Sequence, residues 1–327
     1  MNRRIFGVGA AAVVAMVSGR SFAAVDQSKL AAAVDLGSRK GGSGAIYYNG
    51  GRIADWGNQN LKYALRSSTK SFGSLLLGLA IKEQRVTLNG KARNYLGSFG
   101  TPPTGNKDTG WLGGTTLKHL ATHTAGFDKQ GDFQPLLFEY GTGWSYSDCG
   151  ANWLADVLTV RFAQDLFAVL RSKILVPIGA SSGVAWRANA YRPQKLNGIA
   201  RREFGSGISA SIDAMAKVGL MLEDGGHGLI DSSYVTSAST PKSGVAPLEQ
   251  TGTTVHPGAN KHYGLLFWNN GDGAMADVPA DAYWSWGLGD SFILIVPSLK
   301  LVVARGSGVA GRLGQSKYDP ALLRVRL

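Results

Sequence analysis

Cysteine is almost missing from this chain: Cys149 is the only one in 327 residues. An internal disulfide and a cysteine-built metal site are therefore both excluded. Histidine is little commoner. None of the five histidines belongs to a His-x-x-x-His helix with a glutamate between, and His119 and His123 suit core or capping roles better than zinc. No metal and no cofactor is expected. The chain also has no block of five or six like charges and no interleaving of arginine with aromatic residues, so nucleic acid is not an expected partner. A Gly-x-Ser-x-Gly elbow is missing too. The nearest stretch, Gly41-Gly42-Ser43-Gly44-Ala45, fails at its last position, which argues against an α/β-hydrolase. There is no internal repeat and no low-complexity tract.

What is present is a globular composition, 44% hydrophobic and 17% charged, in a chain long enough for one large domain or two. Arg3 and Arg4 precede an apolar run from Ile5 to Val17, and Ser21-Phe22-Ala23 offers small residues at a cleavage spacing. Residues 1–23 therefore read as an export signal, with Asn2-Arg3-Arg4-Ile5-Phe6 resembling the twin-arginine pattern. The run is short for a bilayer span, so a periplasmic or secreted protein without stable membrane insertion is expected. Loss of the signal would lower the formal charge from +12 to +9, a scattered basic balance that leaves an anionic envelope surface open as a partner.

Ala45 to Tyr48, Asn49-Gly50-Gly51 and Arg52 to Trp56 read as a β-hairpin, since Asn-Gly supplies the positive φ angles of a tight turn. Helical periodicity follows over Ser68–Glu83, Leu117–Thr122 and Gly150–Arg171, then over Ser211–Leu222 with an N-cap serine. Strand patterns return at Tyr263–Trp268, Tyr283–Trp286, Ser291–Val296 and Leu301–Arg305, with Pro297–Lys300 as the last turn. Strands at both ends with helices between them imply an α+β fold. Its single antiparallel sheet is built from both termini, with a helical lobe inserted. Residues 24–66 plus 205–327 form the expected sheet lobe and 67–204 the helical one.

Ser67 and Lys70 stand three apart at the start of an apolar helical run, which places amine and hydroxyl on one face. A serine needs a base or a positive field beside it to act as a nucleophile, and a lysine in a dry pocket can supply either. The same spacing is common on protein surfaces. Tyr146, on the loop entering the next long helix, could relay a proton if a nearby ammonium lowers its pKa, or could merely stack on Trp144. Ser285-Trp286-Gly287-Leu288-Gly289 puts glycines in a strand, suited either to a substrate lying against the backbone or to a bulge.

In order and spacing these pieces resemble the serine β-lactamase and penicillin-binding protein superfamily, in particular its class C-like branch with carboxylesterases and nylon-oligomer hydrolases. Ser67-x-x-Lys70 is similar to the first motif and Tyr146-Ser147-Asp148 to Tyr-x-Asn. Ser285-Trp286-Gly287 stands in the place of Lys-Thr-Gly. Leu120 to Gly126 and Gly207 to Ser211 resemble further family stretches, and the likeness runs over about residues 30 to 310. The resemblance implies a β-lactamase-like fold and hydrolysis of a small ester or amide through an acyl-serine. Ser67 would be the nucleophile, Lys70 and Tyr146 would carry the proton, and the Ser67 and Leu288 amides would form an oxyanion hole. Ser285, Trp286, Gly287 and Asp148 would border the substrate. Serine in place of the third-motif cation favours neutral substrates over a β-lactamase or D,D-peptidase role. Asp148 in place of asparagine favours Tyr146 as the main proton carrier. Cys149 reads as a small buried residue rather than a second nucleophile. A penicillin-recognising or envelope-binding protein without turnover remains the non-enzymatic alternative.

Overall fold

The computed structural model of the chain describes residues 25–241 and 259–307. The expected export signal, residues 1–23, lies outside them, as do 242–258 and 308–327 of the expected sheet lobe.

The described chain opens with helix α1 (Gln27–Arg39) and the hairpin β1 (Ser43–Tyr48) and β2 (Gly51–Trp56). The turn takes the expected form, with Asn49 and Gly50 at φ 49° and 75°. Short strand β3 (Tyr63–Ala64) leads into a tight turn, Arg66–Ser68, and then into α2 (Thr69–Lys82). After α3 (Ala92–Tyr95) and α4 (Leu117–Ala121) come α5 (Asp148–Phe162) and α6 (Leu166–Leu170). Four short strands follow: β4 (Val184–Trp186), β5 (Lys195–Leu196), β6 (Ile199–Ala200) and β7 (Ile208–Ala210). Helices α7 (Ile212–Glu223) and α8 (Ser232–Ser239) precede β8 (Trp268–Asn269), β9 (Tyr283–Gly287), β10 (Ser291–Val296) and β11 (Leu301–Gly306).

The main sheet has the order β2-β1-β11-β10-β9-β8 and is antiparallel throughout, so its centre joins the two ends of the described chain. A second sheet, β3-β7-β4, braces the turn before α2. Helix α7 covers the sheet on one face and α1 packs near the hairpin on the other. Helix α2 is apolar nearly all round and is buried from Thr69 to Ala80, the mark of a core helix rather than a surface one. Phe72, Leu75, Leu76 and Leu77 are sealed, and each such side chain contributes about 1.5–3 kcal/mol of burial. A polar stripe at helical spacing interrupts this surface: the Ser71 and Ser74 hydroxyls donate to the Leu266 and Leu265 carbonyls, each at 2.7 Å. Lys70 opens the same stripe at the start of the helix.

Two elements differ from the sequence expectation. The run read as one helix from Gly150 to Arg171 is two, because Ala163 turns left-handed at φ 52° and Asp165 caps a new start through the Phe167 amide. Tyr263–Trp268 is no strand. Leu266 is left-handed at φ 61°, Gly264 N–H donates to the Phe267 carbonyl, and only Trp268 onward joins the sheet edge.

Candidate active site

Ser67 lies in the turn before α2 rather than in the helix itself, and the residue before it, Arg66, is left-handed at φ 50°. For an L-residue this conformation costs about 1–2 kcal/mol and persists only where surroundings enforce it. They do so here. Leu65 N–H donates to the Ile208 carbonyl at 2.9 Å, and Ile208 N–H donates to Thr69 Oγ1 at 3.2 Å. The Ser68 hydroxyl donates to the Ser291 carbonyl at 2.7 Å. The turn is thus pinned by β7 on one side and β10 on the other, and Ser67 is left partly open to solvent.

Lys70 is 1% exposed, and its ammonium has three acceptors for three N–H bonds. Ser67 Oγ lies at 3.3 Å and the Gly205 carbonyl at 3.2 Å, while Asp148 Oδ1 takes the third. Gly205 is itself held by the Asn152 side-chain oxygen at 2.9 Å, which ties Lys70 to α5. Asp148 is the first residue of α5, where helix-dipole and capping effects favour a carboxylate. Ser147 caps the helix through the Gly150 amide at 2.9 Å and donates its hydroxyl to the Asp128 carbonyl at 2.6 Å.

Tyr146, buried at the mouth of α5, has the Ser67 side chain near its hydroxyl and the Lys70 ammonium 4.6 Å from its ring centre. On the sequence reading the phenol could relay a proton if this ammonium lowered it. It is instead pushed well above its ordinary range, first by burial and then by the Asp148 charge, against the smaller opposing effects of Ser67 and Lys129. A neutral phenol can relay a proton, accepting one as it gives another, but is not a standing base. Asp148 is held below the usual carboxylate range, because the Lys70 and Lys129 ammoniums outweigh the effect of burial.

Aromatic side chains wall this cleft. Tyr146 stacks on Trp268 at 5.6 Å and lies 4.5 Å from the His123 ring, and Trp268 meets Trp286 edge-on at 5.7 Å. His123 Nε2 shares a hydrogen bond with the Tyr263 hydroxyl at 3.1 Å, and its Nδ1 accepts from Ser147 N–H. The stacking of Tyr146 on Trp144 is only a loose tilt at 6.4 Å.

At the far wall, β9 runs against the turn that carries Ser67. A Cβ on Gly287 would collide with the Leu65 carbonyl, so this strand position requires glycine for close backbone approach. Leu288 follows at the rim, 53% exposed. Ser285 does not join the cleft: it is fully buried and its hydroxyl accepts from the Ile293 amide at 3.0 Å inside the sheet. Strand alternation turns it away from Trp286, which faces the aromatic wall. Cys149 is buried with its thiol pushed up to about 11, first by desolvation, as suits a packing residue.

Sequence reasoning missed Lys129. Its ammonium pairs with Asp148 Oδ2, its carbonyl accepts Asp148 N–H at 2.9 Å, and it stands 5.5 Å from the Tyr146 ring centre. Its one sequence signal was position, three residues beyond Gly126 in the stretch resembling a family motif. Among the described residues no group of acids, histidines and cysteine could hold a metal ion, and no helix is long and apolar enough to cross a membrane.

The family model described as Beta-lactamase matches residues 27–322. Similar solved structures include a beta-lactamase from Mycobacterium bovis, at 19% identity and TM-score 0.61, covering 87% of this chain and 95% of that one. A penicillin-binding protein homologue from Caulobacter crescentus aligns at 16% identity and TM-score 0.66, covering 91% and 96%. A family VIII carboxylesterase aligns at 16% and 0.68, covering 91% and 95%. At these identities the likeness speaks for the fold alone. No curated protein matches the sequence.

Proposed function

The chain belongs to the beta-lactamase family, and from that premise we propose that it is an exported serine hydrolase acting on neutral esters or amides through an acyl-serine. The observation that carries this reading is the Lys70 ammonium set between Ser67 Oγ, at 3.3 Å, and the Tyr146 ring, 4.6 Å from its centre. Lys70 donates to Ser67 Oγ, and the Ser67 hydroxyl can then donate to the phenol. As Ser67 Oγ bonds to the carbonyl carbon, its proton passes to Tyr146 Oη while the phenol gives its own proton to the departing oxygen or nitrogen. The relay balances without a free base, which suits a phenol held neutral. Lys70 steadies the alkoxide character that develops on Ser67. The carbonyl oxygen would be received by the backbone N–H groups of Ser67 and Leu288, which the close approach of Gly287 supports. Water, using the same relay in reverse, releases the acid.

The neutral-substrate part rests on the aromatic wall. No cation stands on β9 beside the cleft, and Trp268, Trp286 and Tyr146 offer apolar surface to an acyl or aryl group. Hydrolysis of p-nitrophenyl acetate and butyrate tests the reading. Wild type should turn over, Ser67→Ala should lose all but background, and Tyr146→Phe should lose about 100-fold or more in kcat. An inactive wild type, or full activity in Ser67→Ala, overturns it. Rapid turnover of nitrocefin would move the substrate class to β-lactams.

A further inference from the structure

A carboxylate beside the catalytic ammonium is an awkward neighbour, because it neutralises the charge that the nucleophile needs. In this chain the cost is offset from the other side. Asp148 gives one carboxylate oxygen to Lys70 and the other to Lys129. The two lysines come from different elements, α2 and the loop after α4, and the carboxylate from the head of α5. The contact with Lys129 is reciprocal, since the Lys129 carbonyl also accepts the Asp148 amide at 2.9 Å. Next to it the Asp128 carbonyl accepts the Ser147 hydroxyl, so loop and helix start are clipped together by main chain and side chain alike. Lys129 is 19% exposed and Asp148 18%, so the pair is largely but not wholly removed from solvent.

We propose that Lys129 and Asp148 act as one compensated unit in which Lys129 is a positioning residue. It leaves a single net positive charge at Ser67 and Tyr146, and it holds Asp148 where Lys70 can use it. The charge count is the argument. Lys70, Asp148 and Lys129 together carry one net positive charge, and so would Lys70 alone with neutral partners at both other positions. Removing only Lys129 brings the net charge beside Ser67 from one to zero and weakens the positive field there. Removing only Asp148 leaves two ammoniums facing each other across the carboxylate's place. The phenol feels both lysines, at 4.6 and 5.5 Å from its ring centre. The other groups around it are His123 and Tyr263 on its far side and Asp128 beside Lys129, and none is part of the three-charge unit.

This inference rests on Ser67 being the nucleophile, and the test keeps the two apart. Wild type, Lys129→Gln, Asp148→Asn and the double variant are compared on p-nitrophenyl butyrate, with Ser67→Ala alongside and thermal melting as the check on folding. Each single variant should lose about tenfold in kcat with little change in KM, and the double variant should recover to at least about threefold above either single. A double variant whose loss is the product of the single losses overturns the coupling, as does a Lys129→Gln indistinguishable from wild type. If Asp148→Asn does not fold, Lys129→Arg decides: with its charge kept, it should retain kcat within about threefold while Lys129→Gln does not. Equal loss in both Lys129 variants overturns the proposal. An active wild type with inactive Ser67→Ala and additive losses would sink this inference alone; an inactive wild type sinks both.

Discussion

Helix α5 carries two carboxylates eight residues apart, each between two cations, and the two are built for opposite ends. Asp148, at the helix start, meets two lysines and keeps partial access to the cleft. Asp156, about 12 Å further along the axis, meets two arginines: Arg192 Nη1 at 2.8 Å and Arg201 Nε at 2.9 Å. Asp156 and Arg192 are fully enclosed. Arg192 also donates to the carbonyls of Asp132 and Cys149, both at 3.1 Å, and stacks between Phe133 and Trp153. A guanidinium does not give up its proton at working pH, and its planar fork fixes several partners at once. A lysine ammonium is a compact charge on a flexible stem. Arginine around Asp156 builds a brace for the loop that carries Arg192 and Arg201. Lysine around Asp148 leaves a charge that chemistry can use.

The comparison breaks first at Asp156. Asp156→Ala leaves two buried guanidiniums without their shared partner and should cost about 3–5 kcal/mol in urea unfolding. The folded fraction should keep kcat within about threefold, because the site lies at the other end of the helix. A loss under about 1 kcal/mol would show that the arginines have alternative partners. Next in size is Lys70→Arg. It keeps the charge, but a planar fork cannot serve Ser67, Asp148 and Gly205 from one tetrahedral point, so kcat should fall about 100-fold, equivalent to about 2.7 kcal/mol. Unchanged kcat would mean that any cation suffices. The reverse exchange, Arg192→Lys, keeps one ion pair to Asp156 but gives up the carbonyl contacts. It should cost about 2 kcal/mol of stability and little activity.

Legibility in the sequence followed the same divide between local and assembled features. The hairpin was readable because Asn49-Gly50 has one good backbone solution, and α7 because Ser211 caps an amphipathic run. Ser67, Lys70 and Tyr146 were readable from their order along the chain, and the fold brings them into contact. The end of α5 was not, since Ala163 carries no glycine or proline signal for its left-handed turn. Nor was the loss of the expected Tyr263–Trp268 strand, where the Leu266 carbonyl is fixed by Ser71 from a distant helix. Lys129 was invisible for a related reason: it is nineteen residues from Asp148 and on another element, so no local period links them. Ser285 misled because its place in a motif says nothing of which face of the strand it occupies.

The smallest effect is the sharpest test of how Asp148 differs from its buried counterpart. Its carboxyl titrates below the usual range in the folded chain and near 3.9 when unfolded. The unfolded state therefore takes up a proton first as pH falls. The stability due to Asp148 is full above about pH 4 and is lost as pH drops through the folded value. Asp148→Asn removes this group, so its stability should fall less steeply as pH drops below about 4. Melting curves at pH 7, 4 and 3 read the difference directly. Parallel acid losses in wild type and Asp148→Asn would mean that neither lysine holds Asp148 tightly enough to favour its ionised form, and the distinction between a usable charge and a brace would have to rest on burial alone.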